Sequence, residues 1–348
     1  MCRRPYAATV SELAAVVDEV VGATGFSGAV RVDRSGEILL ASAHGLADRA
    51  HGLANSLGTR FGIASGAKGF TALTVVSLVV EGTLSLATTA RSILGDDLPL
   101  IADDVTVEHL LAHRSGIGDY LDEDAGGEIT DYVMPVSVHQ LDSTEAFLAV
   151  LGGYPQRGPA GQRFAYCNGG YVVLALLAER ASGVPFAELV QQRVCGPAGM
   201  SETGYLRSDE LPGDAAVGYL DAAGPRTNVF HLPVLGSGDG GAYSTVDDVH
   251  RLWRAFLEGG IVPPEWVDEM VRPRSDPADP STRYGLGFWL AASGPGIALK
   301  GYDAGVSFHT SHDPSTGVTW TVVSNSSEGA WPVARALVDH LAVADGST

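Results

Sequence analysis

The chain has 348 residues with 45% apolar side chains and only 18% charged ones, enough length and hydrophobicity for one large or two smaller buried cores. A net charge of -19 and a pI near 4.7 oppose binding to nucleic-acid phosphates or anionic lipid, and no Lys/Arg run interrupts that field. No apolar stretch approaches the roughly 20 residues of a bilayer span. Arg3 and Arg4 are followed by Glu12, Asp18 and Glu19 where a signal peptide would be apolar. The three cysteines, Cys2, Cys167 and Cys195, read as reduced thiols. Together these features lead us to expect a cytoplasmic protein with a small-molecule partner, no nucleic-acid or membrane partner and no metal or other cofactor; the oligomeric state is not legible.

Leu13, Val16, Val17, Val20 and Val21 form one helical stripe behind a Ser11 cap. Ala29 to Val32 and Glu37 to Ala43 are β-compatible runs around the turn-forming Asp33-Arg34-Ser35-Gly36, which predicts a hairpin. From Ala64 to about Val80 nearly every residue is small or apolar, predicting a helix buried on all sides and beginning at a serine. Between about 85 and 280, helical segments alternate with Gly/Pro/Asp-rich loops. Thr245 and Asp248 read as a capping box before a helix that ends at Gly259-Gly260. Strand patterns return at Tyr284 to Ala291, Ile297 to Lys300, Val306 to His312 and Val318 to Ser324, before a last helix from about Trp331 to Leu341. The expected organisation is an α/β (α+β) protein. An antiparallel sheet of about five strands is built from residues 1–62 and 280–348, and a mostly helical region spans 63–279. The active site lies in the cleft between them.

Only two lysines occur, Lys68 and Lys300; arginine fills every other cationic position. Arginine cannot lose its proton in a protein, whereas a buried lysine can, so a retained lysine is a candidate base. Lys68 follows Ser65 by three residues and shares its helix face, an S-x-x-K arrangement in which an amine takes a hydroxyl proton. With 27 serines and two lysines, chance alone gives such a motif an expectation of roughly 0.15. Ser65 at a helix start also offers its own amide to an acyl oxyanion. Tyr166-Cys167-Asn168 is a Y-x-N triplet before an apolar helix, with a chance expectation of roughly 0.13. The two motifs together favour one shared site, with Ser65, Lys68 and Tyr166 catalytic and Asn168 orienting Lys68 or a substrate amide.

The order S-x-x-K, Y-x-N and then a Gly-rich strand near the C-terminus resembles class C β-lactamases and their esterase and D-amino-acid peptidase relatives, within the wider β-lactamase/penicillin-binding-protein superfamily. Phe61 to Ala72, His109 to Ile117 (HLLAHRSGI), Phe164 to Tyr171, Val194 to Thr203, Gly240 to Leu252 and Tyr284 to Phe288 carry the same likeness. The resemblance implies a β-lactamase/transpeptidase-like fold and a serine acyl-enzyme. Its third motif, K-T-G or H-x-G, is replaced here by Lys300-Gly301-Tyr302-Asp303-Ala304-Gly305. Aligning on Val306 to Phe308 puts Tyr302 at the Lys/His position and Gly305 as the second oxyanion amide. Lys300, on the same strand face as Tyr302, and Asp303 join them as substrate-binding candidates.

Other motifs carry less. His109 and His113 at i, i+4 lack the H-E-x-x-H pattern of a zinc site. Gly236 to Gly241 reads as a turn lining the cleft, since no lysine follows it to make a phosphate loop. No G-x-S-x-G elbow is present, and Cys167 reads as a buried spacer. The sequence therefore points to a serine hydrolase acting on a small ester, lactone or amide. A transacylase using the same residues, and a non-catalytic scaffold of the same fold, are the alternatives.

Overall fold

A computed structural model describes residues 10–123 and 126–344. Helix α1 (Val10–Thr24) starts one residue before the expected cap, so Ser11 lies in its first turn. Strands β1 (Gly28–Arg34) and β2 (Glu37–His44) pair antiparallel, with Arg34 opposite Glu37. The two turn residues between them, Ser35 and Gly36, both have positive φ, 51° and 86°, which matches the right-handed twist of a hairpin.

The main sheet has seven strands, not about five. Its order is β2-β1-β7-β6-β5-β4-β3, where β3 is Thr282–Tyr284, β4 Trp289–Ala291, β5 Ile297–Asp303, β6 Val306–Asp313 and β7 Val318–Ser324. The chain end and beginning meet in it, because β7 pairs antiparallel with β1 along Gly28 to Arg34. Six strand runs are legible in the sequence, and the seventh strand arises where a single run from Tyr284 to Ala291 is expected. The chain reverses there at Gly287, which has φ +91° and lies so close to Ala72 that a Cβ would meet it at 2.2 Å.

Alternation along each strand separates two cores. Val322 joins Leu13, Val17 and Leu337 in the layer beneath α1 and the last helix, α5 (Ala330–Ala344), while its neighbour Val323 faces the opposite core with Leu299 and Phe308. That second core holds the predicted buried helix, α2 (Lys68–Val80), in which Phe70, Leu73, Val75, Val76 and Leu78 are all enclosed. Each such side chain stabilises the fold by about 1.5–3 kcal/mol through area removed from water. Helix α3 (Asn168–Ser182) packs in the same core.

A three-stranded sheet, Phe61–Gly62 with Ala242–Ser244 and Gly204–Tyr205, was not anticipated, since strands of two or three residues leave no periodicity to read. Helix α4 (Val246–Leu257) begins as expected at Thr245, whose hydroxyl accepts the Asp248 amide at 3.1 Å. The capping box is only half formed. The Asp248 carboxylate accepts from the Glu202 amide and the Thr203 hydroxyl, both at 2.8 Å, tying the loop before the small sheet to α4 instead. Among the described residues no helix is long and apolar enough to cross a membrane.

Candidate active site

Ser65 sits in a single 3-10 turn, Ala64–Ala67, that runs directly into α2. Ala64 has φ +44°, a left-handed conformation that costs a non-glycine residue about 1–3 kcal/mol and is held by the surrounding packing. Gly66 permits that packing: a Cβ there would lie 2.5 Å from the Phe308 ring. Gly301 does the same from β5, where a Cβ would lie 2.1 Å from the Ile63 carbonyl and 3.0 Å from the Gly66 nitrogen. The strand carrying the third motif is thus pressed backbone to backbone against the turn carrying Ser65.

Lys68 is buried, and its Nζ donates to three acceptors: Ser65 Oγ at 2.8 Å, Asn168 Oδ1 at 2.8 Å and the Asp239 carbonyl at 2.7 Å. Three acceptors match the three hydrogens of an ammonium, and on loss of one proton the lone pair can point to Ser65. Tyr166 lies close enough to Ser65 for the serine to act on its phenol, and Lys68 Nζ lies 4.9 Å from the centre of its ring. Burial holds the Tyr166 phenol well above its ordinary pKa, and the charge of Glu123 adds to this against the influence of Ser65. The phenol is therefore protonated near neutral pH. Ser65, Lys68, Tyr166 and Asn168, named from two motifs a hundred residues apart, come together in one network.

Several members of that network left no motif. Asp119 Oδ2 accepts the Asn168 amide at 2.6 Å and Asp119 Oδ1 the Gly169 amide at 2.8 Å, so a carboxylate from a distant loop caps α3 and sets Asn168. Burial raises Asp119 to about 6, although both amides favour its charged form. Asn168 Nδ2 donates to the Leu121 carbonyl at 3.0 Å and to Glu123 Oε1 at 3.1 Å, which fixes its oxygen toward Lys68. Tyr120 donates to the Asp239 carboxylate, and Thr71 Oγ1 donates to the Gly238 carbonyl at 2.6 Å. The Gly236 to Gly241 segment thereby becomes the rigid cleft-lining turn expected of it. His113 leaves the short helix Val107–Leu111 at φ +52° and stacks its buried ring 4.3 Å from that of Tyr166. It also accepts the Cys167 amide on Nδ1 at 3.1 Å, while His109 Nδ1 turns back to the Thr106 amide, so the pair does not converge. The stretch HLLAHRSGI was the one signal that could have singled His113 out. Cys167 is buried between its neighbours, with a thiol pushed well above its ordinary pKa by burial, and its sulfur accepts the Gly170 amide at 3.3 Å.

The third motif needs correction. Gly305 is a turn residue with φ +73°, and its amide is donated to Ser327 Oγ at 2.8 Å, so it is not free for an oxyanion. The hairpin register supplies the alternative. Asp303 pairs with Val306 across a two-residue turn and Gly301 with Phe308, so residues 301 and 303 direct their backbone groups at β6 and residue 302 directs its own away, at an edge that β4 leaves open beyond Ala298. The Tyr302 amide, next to the Gly301 contact and lining the same cavities as Ser65, is the backbone donor left facing the cleft. The Tyr302 side chain is 36% exposed and lies beside Trp331, within the influence of the Glu328 carboxylate, so it does not occupy the Lys/His place of the motif.

Two cavities meet at Ser65. One, of about 810 Å³, is lined by Asn168, Tyr120, Glu123, Ser237, Asp239 and Asp303 among others. The second, of about 930 Å³, is walled by Phe164, Tyr166, Trp289 and Trp331 with Lys300, whose Nζ lies 5.5 Å from the Trp289 ring centre. Asp303 lines the first cavity and Lys300 the second, while Ser65 lines both.

A buried lysine amine bonded to a serine at the start of a helix, with a tyrosine ring beside both, is the arrangement of a serine hydrolase. The Beta-lactamase family model matches residues 13–344, and the chain belongs to that family. It is 31% identical over 312 residues to Esterase EstB of Burkholderia gladioli, covering 81% of this chain and 79% of the esterase. It is 26% identical to the Putative penicillin-binding protein PbpX of Bacillus subtilis over 77% of this chain but only 63% of that protein. A penicillin-binding protein from Bacillus halodurans superposes with a TM-score of 0.87 at 34% identity, over 93% of this chain and 99% of the other.

Proposed function

We propose that this chain hydrolyses small esters or amides through an acyl-enzyme on Ser65. The observation that carries the reading is the 2.8 Å hydrogen bond between Lys68 Nζ and Ser65 Oγ, with the Tyr166 ring 4.9 Å from the same amine. Ser65 Oγ attacks the carbonyl carbon as Lys68 Nζ takes its proton, and the amides of Ser65 and Tyr302 receive the oxyanion. As the tetrahedral species collapses, Tyr166 gives its proton to the leaving group and recovers one from Lys68. Water then enters, loses a proton to the same pair and releases the acid, returning Ser65 to its starting state. Because Tyr166 lines the aromatic cavity and Asn168 the other, the leaving group belongs against Trp289 and Trp331 and the acyl chain beside Asn168.

Turnover of short-chain p-nitrophenyl esters, the matching anilides and a penicillin tests the proposal. Ester or anilide hydrolysis that disappears in Ser65→Ala supports it. Undiminished hydrolysis in that variant, or its absence from the wild type, sinks it. The acyl cavity has no Lys or Arg among its described lining residues, so we expect penicillin to be the poorest of the three.

A further inference from the structure

The acyl cavity is charged on one side only. Glu123, Asp239 and Asp303 line it, and none of the three is in an ion pair among the described residues. Two have internal roles, since Glu123 accepts from Asn168 Nδ2 and Asp239 from the Tyr120 hydroxyl. Asp303 differs: among the described residues its Oδ1 accepts only the amide of the next residue, Ala304, at 2.8 Å. Burial, with the charges of Asp239 and Glu123, raises it to about 7 against the Ala304 amide and the charge of Lys68, which is bound elsewhere to Ser65, Asn168 and the Asp239 carbonyl. Separately, the Ser237 side chain, only 1% exposed, lines the same cavity with a hydroxyl that has no hydrogen-bond partner among the described residues, as do the buried Ser208 Oγ and His231 Nδ1. Buried polar groups left without partners destabilise a fold, so a ligand that satisfies them has a ready source of affinity.

We propose that the acyl group of the substrate carries a protonated amine, held by Asp303 with Glu123 nearby and with the Ser237 hydroxyl as a further polar contact. The substrate class is then an aminoacyl or aminoalkanoyl ester or amide, not an N-acylated or carboxylate-bearing one. A carboxylate in the same place would face three acids, whereas Lys300 is on the leaving-group side of Ser65. This specificity rests on Ser65 as the reacting group, but its test need not.

Binding of δ-aminovaleramide, δ-hydroxyvaleramide and glutaramic acid to the otherwise intact Ser65→Ala protein, measured calorimetrically, separates the two questions. We expect the amine to bind at least about ten-fold more tightly than the hydroxyl isostere, with no measurable binding of the acid. Adding Asp303→Asn to the Ser65→Ala protein should bring amine and hydroxyl within about two-fold of each other, a ratio taken inside one protein and so insensitive to its overall stability. Equal binding of amine and hydroxyl, or preference for the acid, overturns the proposal. Parallel turnover of p-nitrophenyl valerate by the wild type reports on Ser65 alone, so failure of either idea is visible without the other. If the double variant does not fold, Glu123→Gln in the Ser65→Ala background supplies a second comparison: the amine preference of the parent should shrink there, and a preference that stays undiminished counts against the acidic face as its source.

Discussion

Replacing Lys68 with methionine keeps the length and most of the volume of the side chain but removes its three donors, and the structure specifies two separate losses. Asn168 Oδ1 and the Asp239 carbonyl, which accept from Nζ at 2.8 and 2.7 Å, would be left as buried acceptors. At about 1–3 kcal/mol each, the expected destabilisation is about 2–6 kcal/mol, reduced if a water enters. The proton acceptor for Ser65 is lost at the same time, which general-base catalysis puts at about 100- to 10,000-fold in rate. Chemical denaturation followed by fluorescence reads the first loss, and ester turnover under conditions where the variant is folded reads the second. A folded Lys68→Met protein that acylates at the wild-type rate would refute the role of Lys68, and unchanged stability would refute the account of its three acceptors.

Asp119→Ala removes the cap on the first two amides of α3 and should cost about 2–4 kcal/mol of stability while lowering kcat through misplacement of Asn168. Asp119→Asn, which keeps one acceptor, should recover part of both in the same denaturation and rate measurements. Gly301→Ala would drive a Cβ to 2.1 Å from the Ile63 carbonyl, pushing β5 off the nucleophile turn, so kcat should fall at least about 100-fold with a smaller change in KM if the Tyr302 amide holds the oxyanion. A KM effect alone would remove residue 302 from that role. Asp303 has a folded pKa of about 7 against an ordinary 3.8, so it takes up protons on folding between those values. Its contribution to stability accordingly declines as pH rises from about 4 to 7, and above 7 its charge is available to a ligand. The preference for amine over hydroxyl ligands should therefore grow as pH passes upward through 7; a flat profile would detach the preference from Asp303.

The parts of the site that were legible in the sequence are those fixed by local geometry. Ser65 and Lys68 are one helical turn apart, and Tyr166 and Asn168 straddle the start of a single helix, so short spacing rules place each pair. Asp119, Glu123 and Asp239 were not legible because their roles exist only through partners 45 to 171 residues away, and nothing local distinguishes them from solvated loop acids. The third motif failed for a different reason. Which amides of β5 face the cleft depends on the hairpin's register, and the turn at Ala304-Gly305 sets it; a shift of one residue reverses every backbone group. The fold was read more fully than the site, because its strands alternate and its central helix is uniformly apolar. The split at Gly287 and the small three-stranded sheet depend on contacts that no period records.

The central claim is that Ser65 carries the acyl group. Intact-protein mass after brief exposure to p-nitrophenyl valerate, followed by peptide mapping, tests it most directly. The account predicts a single acyl adduct on the peptide containing Ser65 in the wild type and none in Ser65→Ala; an adduct that maps elsewhere, or persists in the variant, would contradict it.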